Sequence, residues 1–225
     1  MLKQNYKLYH LIKTYGEPKK FNNNDVFNLK NKENFLYAFS DGIAFLKQTD
    51  ASGKVWLSKI YKEGSIHTES LDVLQMDYYF IFKQETTVYQ VTVDHLNNIV
   101  GEAMVNKLLL NYIQTEMKKK ELIIRDYTFY GKKGAIYSNL MRLVHSFGKV
   151  HTNGKIVIDI TLTHEEISQL CGMSRERITK TIVKLKDSKI LTYDKKSKHI
   201  IILDLDFIKR QIHCESCPLL VCNIS

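Results

Sequence analysis

Nowhere in its 225 residues does the sequence carry an apolar run near the roughly 20 residues that a membrane-spanning helix needs. Its start, Met1-Leu2-Lys3-Gln4-Asn5, lacks the apolar stretch of a secretory signal. These two absences predict a cytoplasmic protein with no membrane partner. Cysteine is scarce, four in all, and three of the four fall within the last dozen residues. That clustering argues against a disulfide framework and suits a metal site in a reducing compartment. Of the eight histidines only His10, His67 and His95 precede residue 131, and they show no HxH or ExxH spacing. A cupin-like metalloenzyme pocket is therefore not expected, and the chain reads as no enzyme. Acid is also in deficit: 24 Asp and Glu stand against 33 Lys and Arg, which gives a formal charge of +9 and a pI near 9.2. Such a balance favours a polyanion, nucleic acid first. With 44% hydrophobic residues the chain can bury real cores in one or two domains.

The tail is the densest patch of chemistry. His213-Cys214-Glu215-Ser216-Cys217-Pro218-Leu219-Leu220-Val221-Cys222 reads CxxCPxxxC. Three thiolates at that spacing are placed to hold a metal or an iron–sulfur cluster rather than to fill a core. His213 directly precedes Cys214, so zinc held by one imidazole and three thiolates is a rival reading. A thiol switch through a Cys214–Cys217 disulfide is another.

From about Lys20 to Val93 the pattern is of short runs rich in aromatic and β-branched residues: Phe35–Phe39, Lys54–Ile60, Tyr78–Phe82 and Thr87–Val91. Asp41-Gly42, Ser52-Gly53 and Glu63-Gly64 punctuate them as turns, which predicts an antiparallel β-roll over residues 1–93. After Asp94, read as an N-cap, Leu96, Ile99, Val100, Ala103, Leu108, Leu109, Tyr112, Ile113 and Met117 recur at helical spacing. This predicts a helix of about 30 residues within 94–130. A helix so long between two domains pairs with its twin in a homodimer, although no strict heptad repeat is evident in it. Residues 131–212 read as a small DNA-binding domain and 213–225 as the cysteine tail. Lys132 to Phe147 is amphipathic, a turn at Thr152-Asn153-Gly154 follows, and Lys155–Ile160 reads as a strand.

Thr163 opens THEEISQLCGMSRERITKTIVKLKDSKIL. Thr163 and Glu166 form a capping box, Ile167 and Leu170 give the inner face, and Gly172 ends the helix. Ser174 caps a second helix with Ile178, Ile182 and Leu185 inward. This is a helix-turn-helix, and a hairpin from Lys189–Tyr193 to His199–Leu203 with the basic tip Asp194–Lys198 makes it winged. Arg175 and Arg177 can fork onto guanine or phosphate, Glu176 can accept from cytosine, and Lys180 and Lys184 can neutralise phosphate. Ser174 and Thr179 complete the predicted DNA-contacting set. Cys171, beside the turn, reads as a small buried residue.

With a cyclic-nucleotide-binding-like β-roll, a long dimerisation helix and a C-terminal winged helix in that order, the α+β chain resembles the Crp/Fnr superfamily of bacterial transcription regulators. IRDYTFYGKKGAIYSNLMRL (Ile124 to Leu143), CGMSRERITKTIVKLKDSKIL and CESCPLLVCNI (Cys214 to Ile224) bring it nearest to the Fnr proteins of Bacillus-type bacteria. The likeness covers the last hundred residues strongly and the first ninety in architecture. It implies a [4Fe-4S] cluster held by Cys214, Cys217, Cys222 and Asp126, the last from the end of the dimerisation helix. It also implies oxygen sensing, a palindromic double-stranded DNA operator and RNA polymerase as a partner. A carboxylate is a harder donor than a thiolate, so such a site should be easier to oxidise than an all-cysteine one. Losing it would free the tail and let the recognition helices drift. Where cyclic-AMP binders of the superfamily carry a Gly-Glu clasp followed by Arg-Ser, this chain has Glu63-Gly64-Ser65-Ile66-His67-Thr68-Glu69-Ser70, so no cyclic nucleotide is expected. Lys180 stands where relatives place arginine, which predicts an altered operator.

Overall fold

The computed structural model describes residues 2–29, 34–68, 77–151 and 154–225. Glu69 and Ser70 of the segment compared with a nucleotide clasp, and Thr152 and Asn153 of the predicted turn, lie outside the described residues. The chain divides into two compact units, Met1–Glu116 and Met117–Ile224.

The first unit opens with a helix that the sequence reading placed inside the β-roll, α1 (Leu2–Tyr15). Eight strands follow: β1 (Glu17–Phe21), β2 (Val26–Asn28), β3 (Phe35–Phe39), β4 (Ile43–Thr49), β5 (Val55–Lys62), β6 (Ile66–Thr68), β7 (Asp77–Phe82) and β8 (Thr86–Thr92). They form two antiparallel sheets, ordered β1-β8-β3-β6 and β2-β7-β4-β5. The expected runs appear as β3, β5, β7 and β8, whereas β1, β2, β4 and β6 were not read from sequence.

Side chains on a strand alternate between faces. On β3, Tyr37 and Phe39 pack with Phe80, Phe82 and Tyr61 of the other sheet, while Leu36 and Ala38 face the opposite way, into a cluster with Leu8 and Ile12 of α1. A sheet covered on both faces explains why FLYAF reads as a continuous apolar run rather than an alternating one.

One short helix and a break replace the predicted start of the long helix. The cap of α2 (Val93–Val100) is Thr92, whose hydroxyl accepts from the His95 amide, and Asp94 sits inside the first turn. Asp94 is therefore not the N-cap. Gly101, at φ 88° and ψ 137°, then breaks the chain before α3 (Glu102–Phe147). Tyr112 of α3 donates to the Ile66 carbonyl at 2.5 Å and Glu116 pairs with Lys59 at 2.6 Å, which seats the start of α3 on β5 and β6.

In the second unit α3 does not run straight. Gly131 takes φ 57° and ψ −152°, a conformation open to glycine and strained for any other residue. Gly134 is equally constrained, since a Cβ there would lie 2.2 Å from the Cβ of Tyr130. Asp126 and Arg142 are sixteen positions apart yet ion-paired at 3.1 Å. Along an unbroken helix they would be about 24 Å apart. The helix thus folds back on itself at Gly131.

Beyond α3 come β9 (Gly148–Val150), β10 (Ile156–Ile158), α4 (His164–Cys171), α5 (Arg175–Asp187), β11 (Leu191–Tyr193), β12 (Ile200–Ile202) and α6 (Leu205–Gln211). The four strands order as β11-β12-β10-β9. β9 and α6 were not anticipated, and the predicted strand over Lys155–Ile160 is shorter, as β10.

Candidate nucleic-acid interface and metal centre

The helix-turn-helix is built from local chemistry. The Thr163 hydroxyl accepts from the Glu166 amide at 3.1 Å, and the Glu166 carboxylate accepts from the Thr163 amide at 2.8 Å, the reciprocal pair of a capping box. Gly172 stops α4 in the left-handed region at φ 61°. Ser174 then caps α5 by accepting from the Arg177 amide. Ile178, Ile182 and Leu185 are buried, which leaves Arg175, Glu176, Arg177, Lys180 and Lys184 exposed.

Two of the predicted DNA-contacting residues do more than face solvent. Ser174 spends its hydroxyl on the cap. Thr179 is half-buried, its hydroxyl 2.9 Å from His164 Nδ1, so it ties α5 to the start of α4. Burial, and then the charges of Arg175 and Lys186, hold the His164 imidazole below its usual pKa. The exposed Glu176 carboxyl is likewise held low, by its own backbone amide and then by the Ser174 hydroxyl, which keeps it an acceptor. Sequence reading missed Val183, which is 48% exposed on the same helix and offers an apolar contact of the kind a thymine methyl takes.

The wing is fastened by one carboxylate. Asp194 accepts from the Lys196 amide at 3.0 Å, the Ser197 amide at 2.7 Å and the Ser197 hydroxyl at 3.0 Å. Lys195, Lys196 and Lys198 are left exposed at its tip.

The cysteine tail lies along the end of α3. All four cysteines are free thiols; Cys171 is buried, and Cys214, Cys217 and Cys222 are half-buried. Burial pushes the Cys171 thiol up to about 12, so it is an inert packing residue. At the tail, Arg142 donates to the Val221 carbonyl at 3.2 Å, His145 Nδ1 lies 2.8 Å from the Cys222 carbonyl, and the Ile224 amide donates to Ser146 Oγ at 2.9 Å. His213, the imidazole of the zinc reading, stacks on the Tyr130 ring with centroids 5.6 Å apart.

Asp126 is held from three sides. Its Oδ2 accepts from Ser138 at 2.6 Å and from Arg142 at 3.1 Å, and its Oδ1 accepts two contacts from Arg125. Arg125 also reaches Glu215 at 2.9 Å and thereby joins α3 to the CESC segment. The Cys222 thiol is pushed up by burial, pulled back by Arg142, and raised again by Cys217, Cys214 and Asp126. Arg142 and Arg125 thus link Asp126 to both ends of the tail, at Val221 and Glu215. Among the described residues, however, no group of three His, Cys, Asp or Glu side chains is gathered closely enough to hold a metal ion. Three free thiols, a carboxylate and a buried guanidinium to balance their charge fit an iron–sulfur cluster in donor chemistry. Ligation needs the tail to close and Asp126 to release a donor, and Arg125 is the more exposed of its two arginines.

A family model described as a Crp-like helix-turn-helix domain matches residues 136–210. The chain is similar to the Anaerobic regulatory protein of Bacillus subtilis, 29% identical over 193 residues that cover 84% of this chain and 80% of that protein. It is also similar to the Listeriolysin regulatory protein of Listeria monocytogenes, 24% identical over 212 residues, 88% of this chain and 86% of the other. Among solved structures it resembles FixK2 from Bradyrhizobium japonicum in fold, with a TM-score of 0.69 and 11% identity over 87% of this chain and 96% of that one.

Proposed function

We propose that this chain, whose residues 136–210 match a Crp-like helix-turn-helix domain, is a Crp/Fnr-type transcription regulator, a cytoplasmic homodimer whose operator binding follows oxygen or redox state. The site is a [4Fe-4S] cluster held by Cys214, Cys217, Cys222 and Asp126. The observation that carries this reading is that the buried Arg142 guanidinium joins Asp126 Oδ2, at 3.1 Å, to the Val221 carbonyl beside Cys222, at 3.2 Å, although Asp126 lies far from the tail in sequence.

When bound, such a cluster supplies an oxygen-labile link between the tail and α3. The protein's own residues do the rest. Arg142 and Ser138 orient the Asp126 carboxylate, and Arg142 offsets the negative charge that the thiolates and the carboxylate bring. Arg175, Glu176, Arg177 and Lys180 read base edges, Lys184 and the wing lysines meet phosphate, and Ser174 and Thr179 fix α5 for that task. RNA polymerase is the protein partner.

For the dimer, Leu110, Met117 and Ile124 fall on α3 at seven-residue intervals with Ile113 between, and all four are exposed in the single chain. That is an apolar seam of the coiled-coil type. Lys120 stands where the repeat would call for an apolar residue after Ile113, so the seam is not a strict heptad, in keeping with the sequence reading.

The test is an anaerobic preparation examined by visible absorption with iron and sulfide analysis, followed by operator binding before and after air. A brown protein that bleaches in air and loses specific binding is the expected result. Colourless, iron-free protein that binds specifically in both conditions overturns the reading. Loss of binding that dithiothreitol alone reverses, without iron, favours the Cys214–Cys217 disulfide instead.

A further inference from the structure

We infer that Arg142 is the positioning residue of the tail site: one buried guanidinium aims Asp126 and pins Val221, so that Asp126 and Cys222 form a half-site assembled before any metal arrives. Cys214 and Cys217 ride on a separate strap that closes afterwards. The inference deepens the cluster reading and rests on it for the identity of the ligand.

Arg142 is only 2% exposed and is among the largest fully buried side chains. Its three nitrogens go three ways: Nε to Ser138 Oγ at 3.3 Å, Nη2 to Asp126 Oδ2 at 3.1 Å, and Nη1 to the Val221 carbonyl at 3.2 Å. A planar fork of fixed donors does this, whereas an ammonium on a flexible stem does not span the same targets. His145 and Ser146, on the same helix, hold the next backbone groups of the tail, Cys222 and Ile224. The end of the tail is therefore docked by the protein alone, with Ile224 buried at 6% exposure.

The strap is of another kind. His213 and Ser216 sit at φ 42° and 54°, which costs a non-glycine residue strain. Glu215, Ser216, Pro218 and Leu219 are exposed. Its ion pair with α3, Arg125–Glu215, has Glu215 63% exposed and is screened by solvent. Loss of ligation then loosens residues 213–217 while 218–224, joined by the Val221 and Cys222 amides donating to the Pro218 carbonyl, stay in place, a narrower switch than release of the whole tail.

The experiment uses full-length, metal-free, reduced protein and measures the iodoacetamide alkylation rate of each cysteine by mass spectrometry. In the wild type, Cys214 and Cys217 should react fastest, Cys222 more slowly, and Cys171 hardly at all, which makes Cys171 an internal monitor of folding. Arg142→Lys should raise the Cys222 rate roughly tenfold, the factor for losing one charge-assisted hydrogen bond, with Cys171 unchanged. Its yield of iron on anaerobic reconstitution should fall as well. If Arg142→Lys exposes Cys171, the paired Asp126→Leu/Arg142→Leu variant removes the ion pair as a unit, leaves no uncompensated charge, and should still accelerate Cys222. A folded variant of either kind in which Cys222 keeps its wild-type rate overturns the inference. A colourless wild type that shows the expected alkylation pattern sinks the cluster and leaves the docking intact; a brown wild type with no Arg142 effect does the reverse.

Discussion

Asp126 and Arg142 meet at 3.1 Å across a helix reversal, with side chains 7% and 2% exposed. Both side chains are buried; Asp126 is the carboxylate that Arg142 meets, while Asp126 also draws on Arg125. This pair therefore decides how substitutions at the proposed metal site are to be read.

Replacing Asp126 by alanine leaves the Arg142 guanidinium buried without its carboxylate and should cost about 3–5 kcal/mol of stability, apart from any effect on metal. Cys217→Ala carries no such penalty and should keep the folded dimer while abolishing visible absorbance. Denaturant melts of the two metal-free variants make the comparison; equal midpoints would contradict the buried-pair account.

Arg125→Ala should cost about 1–3 kcal/mol, because it removes both donors to Asp126 Oδ1 on a side chain only 7% exposed, whereas the solvated pair with Glu215 adds little. Anaerobic uptake of iron and sulfide, followed by the growth of visible absorbance, should be faster than in the wild type. Slower uptake would mean that Arg125 helps the carboxylate rather than occupying it.

Lys184→Ala should weaken operator and unrelated DNA alike, and flatten the dependence of log affinity on log salt by about one unit. Titrations at several salt concentrations measure this. A loss confined to the operator would move Lys184 from phosphate to base contact.

His67 carries a pH prediction. Burial, and then the Lys59 charge, bring its pKa from 6.5 to about 3, with Glu116 opposing, and its Nδ1 lies 2.7 Å from the Tyr61 hydroxyl. Between those two values the unfolded chain takes up a proton that the folded chain refuses. Stability from this residue is complete above pH 6.5 and drains away as pH falls toward 3, by an amount on the order of a few kcal/mol. His67→Gln should shrink the loss of stability between pH 7.5 and 5 in urea melts, and an unchanged pH dependence would place the sensitivity elsewhere.

Met117→Lys puts a charge in the middle of the apolar seam on α3. Sedimentation should find a monomer, or a dimer weakened at least tenfold, with specific DNA binding reduced in step. A dimer of undiminished strength would assign the seam another role.

The helix-turn-helix was legible because its determinants are local. Thr163, Glu166, Gly172 and Ser174 each act within three or four residues of their own position, and Ile178, Ile182 and Leu185 declare the inner face by spacing. The buried Cys171 was legible for the same reason. What escaped was set by tertiary partners. Leu8, Tyr9 and Ile12 make α1 a helix with a buried face, but its polar remainder gives little signal on its own. Thr92 outcompetes Asp94 as a cap by two residues, and Gly101 divides a run whose apolar periodicity passes through without a break. Asp126 was placed by resemblance at the end of a helix. Its meeting with Ser138 and Arg142 depends on the backward turn at Gly131, which no helical periodicity encodes.

One further consequence follows from the short distance along α3 between Ile124, which is 64% exposed, and Asp126, which is buried. Two helical steps turn the chain by about 200°, so neighbouring residues look in opposite directions. The same turn bears the last residue of the proposed seam and the carboxylate of the proposed tail site. A substitution that shifts the backbone there moves both, which couples the proposed dimer contact to the proposed ligand.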